Sequence, residues 1–185
     1  VFEAVPSVWH RELLTAIEAG VAVFGAASMG ALRAAELRAH GMVGVGQVFR
    51  WVCEGVVRDD SEVALLHGSA EDKYRPLTLP LVNVRYAAAM ATRAKVLTRR
   101  EASQLVVHAE RIFYQTRHWP SVLDAVGRAW THRTRFRWER WTGRGLPDVK
   151  AIDARACIQR AARAGSSRPR ASSSPPSFAR RRRLR

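Results

Sequence analysis

Trp9, Leu13 and Ile17 recur every four residues behind Pro6, which suits a first helical turn, and Gly20 stops the run. The spacing predicts a helix over residues 6–19. Val21, Ala22, Val23 and Phe24 then form a short apolar run bounded by glycines, the mark of a buried strand. Small residues follow at once, Gly25-Ala26-Ala27-Ser28-Met29-Gly30, before strong helix formers from Ala31 to His40. A strand, a sharp turn and a helix are therefore predicted. A second such unit is predicted from a helix over 44–55, an acidic connection at Asp59-Asp60-Ser61-Glu62, and a buried strand over 63–67 ending at His67. The glycines between Gly41 and Gly46 lack the G-x-G-x-x-G order and read as a turn into a helix.

Beyond residue 77 the helical period takes over. A helix opened by Thr78 and Pro80 is predicted to reach Leu97. Ala102, Leu105, Val106, Ala109, Ile112 and Phe113 fall at i, i+3, i+4, i+7, i+10 and i+11, which predicts a helix over 100–117. Pro120 opens another to Trp130, and a last helix is predicted over 148–164. The fold class expected is α/β, a small parallel sheet with flanking helices followed by a mainly helical C-terminal portion. Residues 1–162 make up the folded part, with its helical portion at 98–162. Residues 163–185, rich in Ser, Pro and Arg, cannot bury enough apolar surface to order themselves and are predicted to be a disordered basic tail.

Charge sharpens that boundary. The net charge is +15, and eight arginines after residue 162 leave only +7 on the folded part. Two cysteines, Cys53 and Cys157, are too few for a disulfide scaffold or a thiolate zinc site, so a reduced, cytoplasmic protein with no metal is expected. The longest uncharged stretch, residues 19–32, is too short to span a bilayer, and no membrane association is expected. The chain opens on Val1 inside an element, and an upstream portion is expected to precede it.

The richest local signal is the turn around Ser28. Ala26, Ser28 and Gly30 give the spacing small–x–Ser–x–small of a nucleophile elbow, where bulky neighbours would clash. A hydroxyl displayed there stands at the head of a helix, whose free N–H groups can hold an oxyanion. Position 26 is Ala where that motif usually carries Gly. The same turn is open to two other readings, a serine N-cap and a non-covalent anion site. Should Ser28 be a nucleophile, His67 on the same sheet edge is the candidate base. Glu71 in the following loop is then the acid that distances permit, since extended chain puts Asp60 roughly 23 Å from His67. His10 is a second candidate base. Met29, Gly30 and Arg33 are candidate anion or oxyanion contacts, and Asn83 and Arg85, which carry polar groups into the otherwise apolar "PLVNVR", are candidate substrate contacts.

Several strings in succession resemble the TfuA-like core: "VWHREL", "VFGAASMGALRAAEL", "GMVGVGQVF", "DDSEVALLHG" and "YRPLTLPLVNVR". The similarity is strongest over residues 5–85. The resemblance implies a partner of YcaO enzymes, which use ATP to activate a peptide carbonyl during backbone thioamide formation. It implies no cofactor on this chain and ATP on the partner. It further implies sulfur delivery, by hydrolysis of a thiocarboxylated, ubiquitin-like sulfur carrier or by channelling sulfide, with the peptide substrate met through the partner. Acyl–sulfur cleavage calls for a nucleophile, a base and oxyanion donors, parts that Ser28, His67 and the following amides could supply.

Two other classes fit parts of the sequence. A non-catalytic docking partner would use the basic helical face with Trp119, Trp130, Trp138 and Trp141 as its interface. Arginines interleaved with aromatics in "THRTRFRWERW", with the closing "RRRRLR", could instead grip nucleic acid, nonspecifically through the tail.

Overall fold

Gly25 sets the geometry of the whole N-terminal half, because a Cβ there would overlap the carbonyl of Gly30. The end of a strand can therefore lie directly on the first turn of the next helix. In the computed structural model, which describes residues 7–143 and 145–166, that strand is β1 (Phe24–Ala26) and the helix is α2 (Met29–Glu36). Helix α1 (His10–Glu18) precedes them. β1 pairs in parallel with β2 (Val43–Val45), in the register Phe24–Val43, Gly25–Gly44 and Ala26–Val45. Helix α3 (Gly46–Cys53) leaves β2 without a linker. The α/β class, a small parallel sheet flanked by helices, is as expected from the sequence.

The strand assignments differ in two places. β1 sits later than the apolar run 21–24, because Val21 is half exposed while Gly25 and Ala26 are carried into the sheet. Its partner is not 63–67. Val63 and Ala64 are fully buried, but the segment runs as irregular chain, and His67 makes only an antiparallel bridge to Pro76. An apolar run of this length is equally compatible with buried coil. The true second strand lies in the glycine run at 41–46, where Gly44 packs flat on the Phe49 ring and leaves no space for a side chain.

The helical half comprises α4 (Leu81–Arg93), α5 (Arg99–Glu110), α6 (Trp119–Val126), α7 (His132–Thr142) and α8 (Val149–Ser166). Pro80, with extended backbone, is the N-cap of α4. α5 stops at Glu110, short of the predicted Arg117. The buried Arg117 guanidinium instead donates to the carbonyls of Ala109, Leu79 and Ile112 and ties the following loop to α5. α7 has no counterpart in the sequence-based reading.

Three apolar cores result among the described residues, the smallest packing Ala34, Leu37 and Met42 against Leu13, Ile17 and Phe49. One gathers Leu81, Val84, Leu105, Val122 and Val126 around Trp138, whose ring meets those of Trp119, Trp130 and Trp141 at 5.5–5.8 Å. Trp130 and Trp138 are buried and offer no docking surface, while Trp119 and Trp141 are half-buried and pack against the same core. The second core joins Ala31, Val48, Val63, Val82 and Val149, and so binds α2, α3, α4 and α8 together.

α8 is the strut between the halves. Asn83 on α4 accepts from Val149 N and donates to Asp148 at 3.1 Å each. Asp153, one turn on, accepts from Gln47 N at 2.9 Å and Val48 N at 2.8 Å, and so caps α3 from a distant helix. Gly46 (φ +97°) is required there, because a Cβ would occupy the place of that carboxylate. Residues 163–166, expected to open the disordered tail, continue α8 instead, and from residue 167 on the expected tail lies outside the described residues. Among the described residues no helix is long and apolar enough to cross a membrane.

Candidate functional site

The chain leaves β1 through a strained turn. Ala27 has φ +69°, a conformation that costs a β-carbon roughly 1–2 kcal/mol, and Ser28 N donates to Ala26 O at 2.8 Å across it. Ser28 then occupies the N-cap position of α2, but its hydroxyl makes no capping bond. The hydroxyl donates instead to the carbonyl of Val63 at 3.3 Å. The backbone oxygen of Ser28 receives Ala31 N and Leu32 N, while Met29 and Gly30 hold the leading N–H groups of the helix, which have no acceptor within it. A half-buried hydroxyl and two helix-head amides thus share one lip of the small sheet.

The carbonyl of Val63 has a second donor. Lys150, in the first turn of α8, reaches it through Nζ at 2.6 Å. The Ser28 and Lys150 head groups are therefore no farther apart than those two bonds laid end to end. Burial pushes the Lys150 amine down to about 8, against the opposing pull of Asp148. Neither Lys150 nor the Val63 carbonyl stood out in the sequence. The one available signal is that Lys150 is among only three lysines in a chain with 31 basic residues.

The other sequence-predicted residues lie in different settings. His67 donates through Nδ1 to its neighbour's carbonyl, Gly68 O, at 2.7 Å and packs edge-on against Tyr74. No hydrogen bond joins it to Ser28 among the described residues. Glu71 is exposed, and a hydrogen bond from Ser69 holds its carboxyl below the usual range. Arg33 turns away from the head of α2: it pairs with Glu36 at 2.7 Å and donates to Val8 O and Ser7 Oγ. His10 lies 2.6 Å from the same Glu36 carboxylate, so it fastens α1 to α2. Burial raises Glu36, but the bonds from Arg33 and His10 outweigh it and leave the carboxyl below its ordinary value.

Asn83 faces a cavity of about 310 Å³ that Leu65, Thr78, His118 and Asp148 also line. Both ends of its amide are engaged with the start of α8. Arg85 is clamped between Glu62 at 2.9 Å and Glu110 at 2.5 Å. The Arg and aromatic alternation at 131–141 is the two sides of α7, with Trp138 inside and Arg133, Phe136 and Arg140 outside.

A family model described as TfuA-like protein matches residues 1–118. The chain belongs to the TfuA-like family. Membership gives it an accessory role in the YcaO system and implies a YcaO-type partner. Among the curated proteins none matches the chain. The TfuA-like match takes in β1, α2, β2, α3 and the Val63 carbonyl, and it ends before α8, which contributes Lys150 and Asp153.

Proposed function

We propose that this TfuA-like protein supplies sulfide to a YcaO enzyme for peptide backbone thioamide formation, by cleaving the acyl–sulfur bond of a thiocarboxylated, ubiquitin-like sulfur carrier. ATP belongs to the partner in this reading, and the peptide is bound there. The observation that carries the reading is Ser28 on its strained turn. Its hydroxyl is spared from capping and donates to Val63 O, at the head of the helix whose leading N–H groups belong to Met29 and Gly30. A turn held in a costly conformation directly before a helix is a recurrent way of presenting a nucleophile to an acyl carbon.

In the reaction Ser28 Oγ adds to the thiocarboxyl carbon. The developing oxyanion is received by the amides of Met29 and Gly30, the sulfur departs as hydrosulfide, and water then hydrolyses the serine ester. His67 with Glu71 is the acid–base pair expected from the sequence, but the Nδ1 bond to Gly68 O and the exposure of Glu71 give that pairing no further support.

The test is sulfide release from a carrier bearing a C-terminal thiocarboxylate. Ser28→Ala is expected to lower the rate at least about 100-fold, the scale of losing a nucleophile's contribution. Equal release by both proteins would remove Ser28 from the chemistry. If Ser28→Ala still activates the YcaO partner with free sulfide, docking and sulfide supply are separable duties.

A further inference from the structure

We infer that the outer side of α7 and the α4–α5 turn form a nucleotide-binding site, in which a planar base lies against Phe136 and Trp141 while its phosphate meets Lys95, Arg137 and Arg140. These five side chains and Val96 line a cavity of about 320 Å³. Two rings and an aliphatic wall with a few charges converging on them is the make-up of a small-ligand pocket. No carboxylate lines it.

Each part is held ready, not spent on the fold. Phe136 is 54% exposed, and the Arg140 guanidinium lies 5.8 Å from the centroid of its ring. Arg137 is only half satisfied. Its Nη2 reaches the two Glu101 oxygens at 3.2 and 3.3 Å, while Nε, on the same edge of the fork, is buried with no hydrogen-bond partner. That nitrogen is sealed from solvent, so only a shift of the side chain can give it an acceptor, and the open space beside it is the cavity. Lys95 follows the C-cap of α4 with φ +59°, in the left-handed position that glycine usually fills. Backbone strain of this kind gathers at binding sites. Among the described residues neither Lys95 nor Arg140 has an ion-pair partner.

An acidic peptide would use the three cations and leave both rings idle, whereas a phosphate joined to a planar base uses all five side chains. That unit is common to a free nucleotide and to single-stranded RNA. Arg93 and Arg99 line the neighbouring groove between α4 and α5, at the same turn, so a strand leaving the cavity would meet further positive charge. Phe136, Arg137, Arg140 and Trp141 all lie beyond residue 118, outside the TfuA-like match, so family membership does not predict the site.

Calorimetric titration of the full chain with AMP and with ribose 5-phosphate separates the base from the phosphate. AMP is expected to bind at least about tenfold tighter, the scale of stacking one base. Phe136→Ala removes an exposed ring, and Lys95→Gly removes a charge while relieving the strained turn. Each is expected to weaken AMP binding about tenfold with the circular dichroism of the wild type. AMP no tighter than ribose 5-phosphate, or AMP binding untouched in both variants, would overturn the site. Displacement of AMP by an equal concentration of hexaglutamate would overturn it too, by making the cavity a general anion patch. Fluorescence anisotropy with a labelled single-stranded RNA of about 12 nucleotides distinguishes the two sources. A parallel loss in the variants assigns the cavity to a strand. RNA binding unaltered in them belongs to the arginine-rich tail that every variant keeps, and the AMP losses then assign the cavity to a free nucleotide.

Discussion

Replacing Asp153 measures what holds the sheet half to the helical half. Its carboxylate is 3% exposed and accepts two backbone N–H groups from the first turn of α3. Charge-assisted bonds contribute about 1.5–3 kcal/mol each. Val48 N lies in the core and keeps its full loss in Asp153→Ala, whereas Gln47 N, half-buried, can turn partly to water. The expected cost is therefore about 3–4 kcal/mol, a large part of the stability of a domain this size. Asp153→Asn leaves one acceptor and should cost about half as much. Equilibrium urea unfolding followed by far-UV circular dichroism reads both directly, and the melting temperature of Asp153→Ala should drop by roughly 6–14 °C. Asp153→Ala within 1 kcal/mol of the wild type would refute the claim that a distant side chain caps α3. Gly46→Ala, which sets a methyl group against the same carboxylate, should be about as harmful.

Other outcomes follow from the same contacts. Gly25→Ala must part the strand from the helix it lies on, and should lower stability by about 1–3 kcal/mol in the same urea assay. Lys150 loses its proton near pH 8 in the folded chain but near 10.5 in the unfolded one, so the unfolded state binds more protons in between. Wild-type stability relative to Lys150→Met should accordingly rise as pH goes from 8 to 10.5, as thermal melts would show. For Glu101, burial raises the carboxyl, but bonds from Thr134 and Thr98 and the charge of Arg137 outweigh it and leave the folded value lowered. Its contribution is present above the unfolded value and fades as pH falls through the lower folded one. Melts below pH 4.5 should therefore show less acid sensitivity in Glu101→Gln than in wild type.

The sequence carried the strand–turn–helix around Ser28 because side-chain size alone marks it, with small residues where backbones touch and helix formers behind them. It carried α5 and most of α8 because helical periodicity is local. β2 was hidden, since three residues flanked by glycine show no alternation and Gly44 has no side chain to reveal its face. Residues 63–67 misled for the opposite reason: Val63 and Ala64 are buried, but Val63 joins the core with α2 and α4 rather than a ladder, and Leu66 is exposed. Arg33, Asn83 and Arg85, expected from the sequence as anion or substrate contacts, have protein partners. Those partners are a carboxylate on the same helix, the start of α8, and two acids on other elements, none of which a local motif encodes. Lys150 was illegible because its acceptor is a main-chain oxygen 87 residues away.

That span bears on how the molecule comes into being. α3 emerges from synthesis with its leading amides bare, and they stay so until a carboxylate 105 residues later has been made and has swung back. Contacts of such reach are slow to form and close late. Nascent chains that have not yet threaded α8 into place can hold the helical core around Trp138 yet lack the carboxylate that caps α3. The capping of α3 should consequently complete in the final folding phase, after tryptophan signals have already reached their native values.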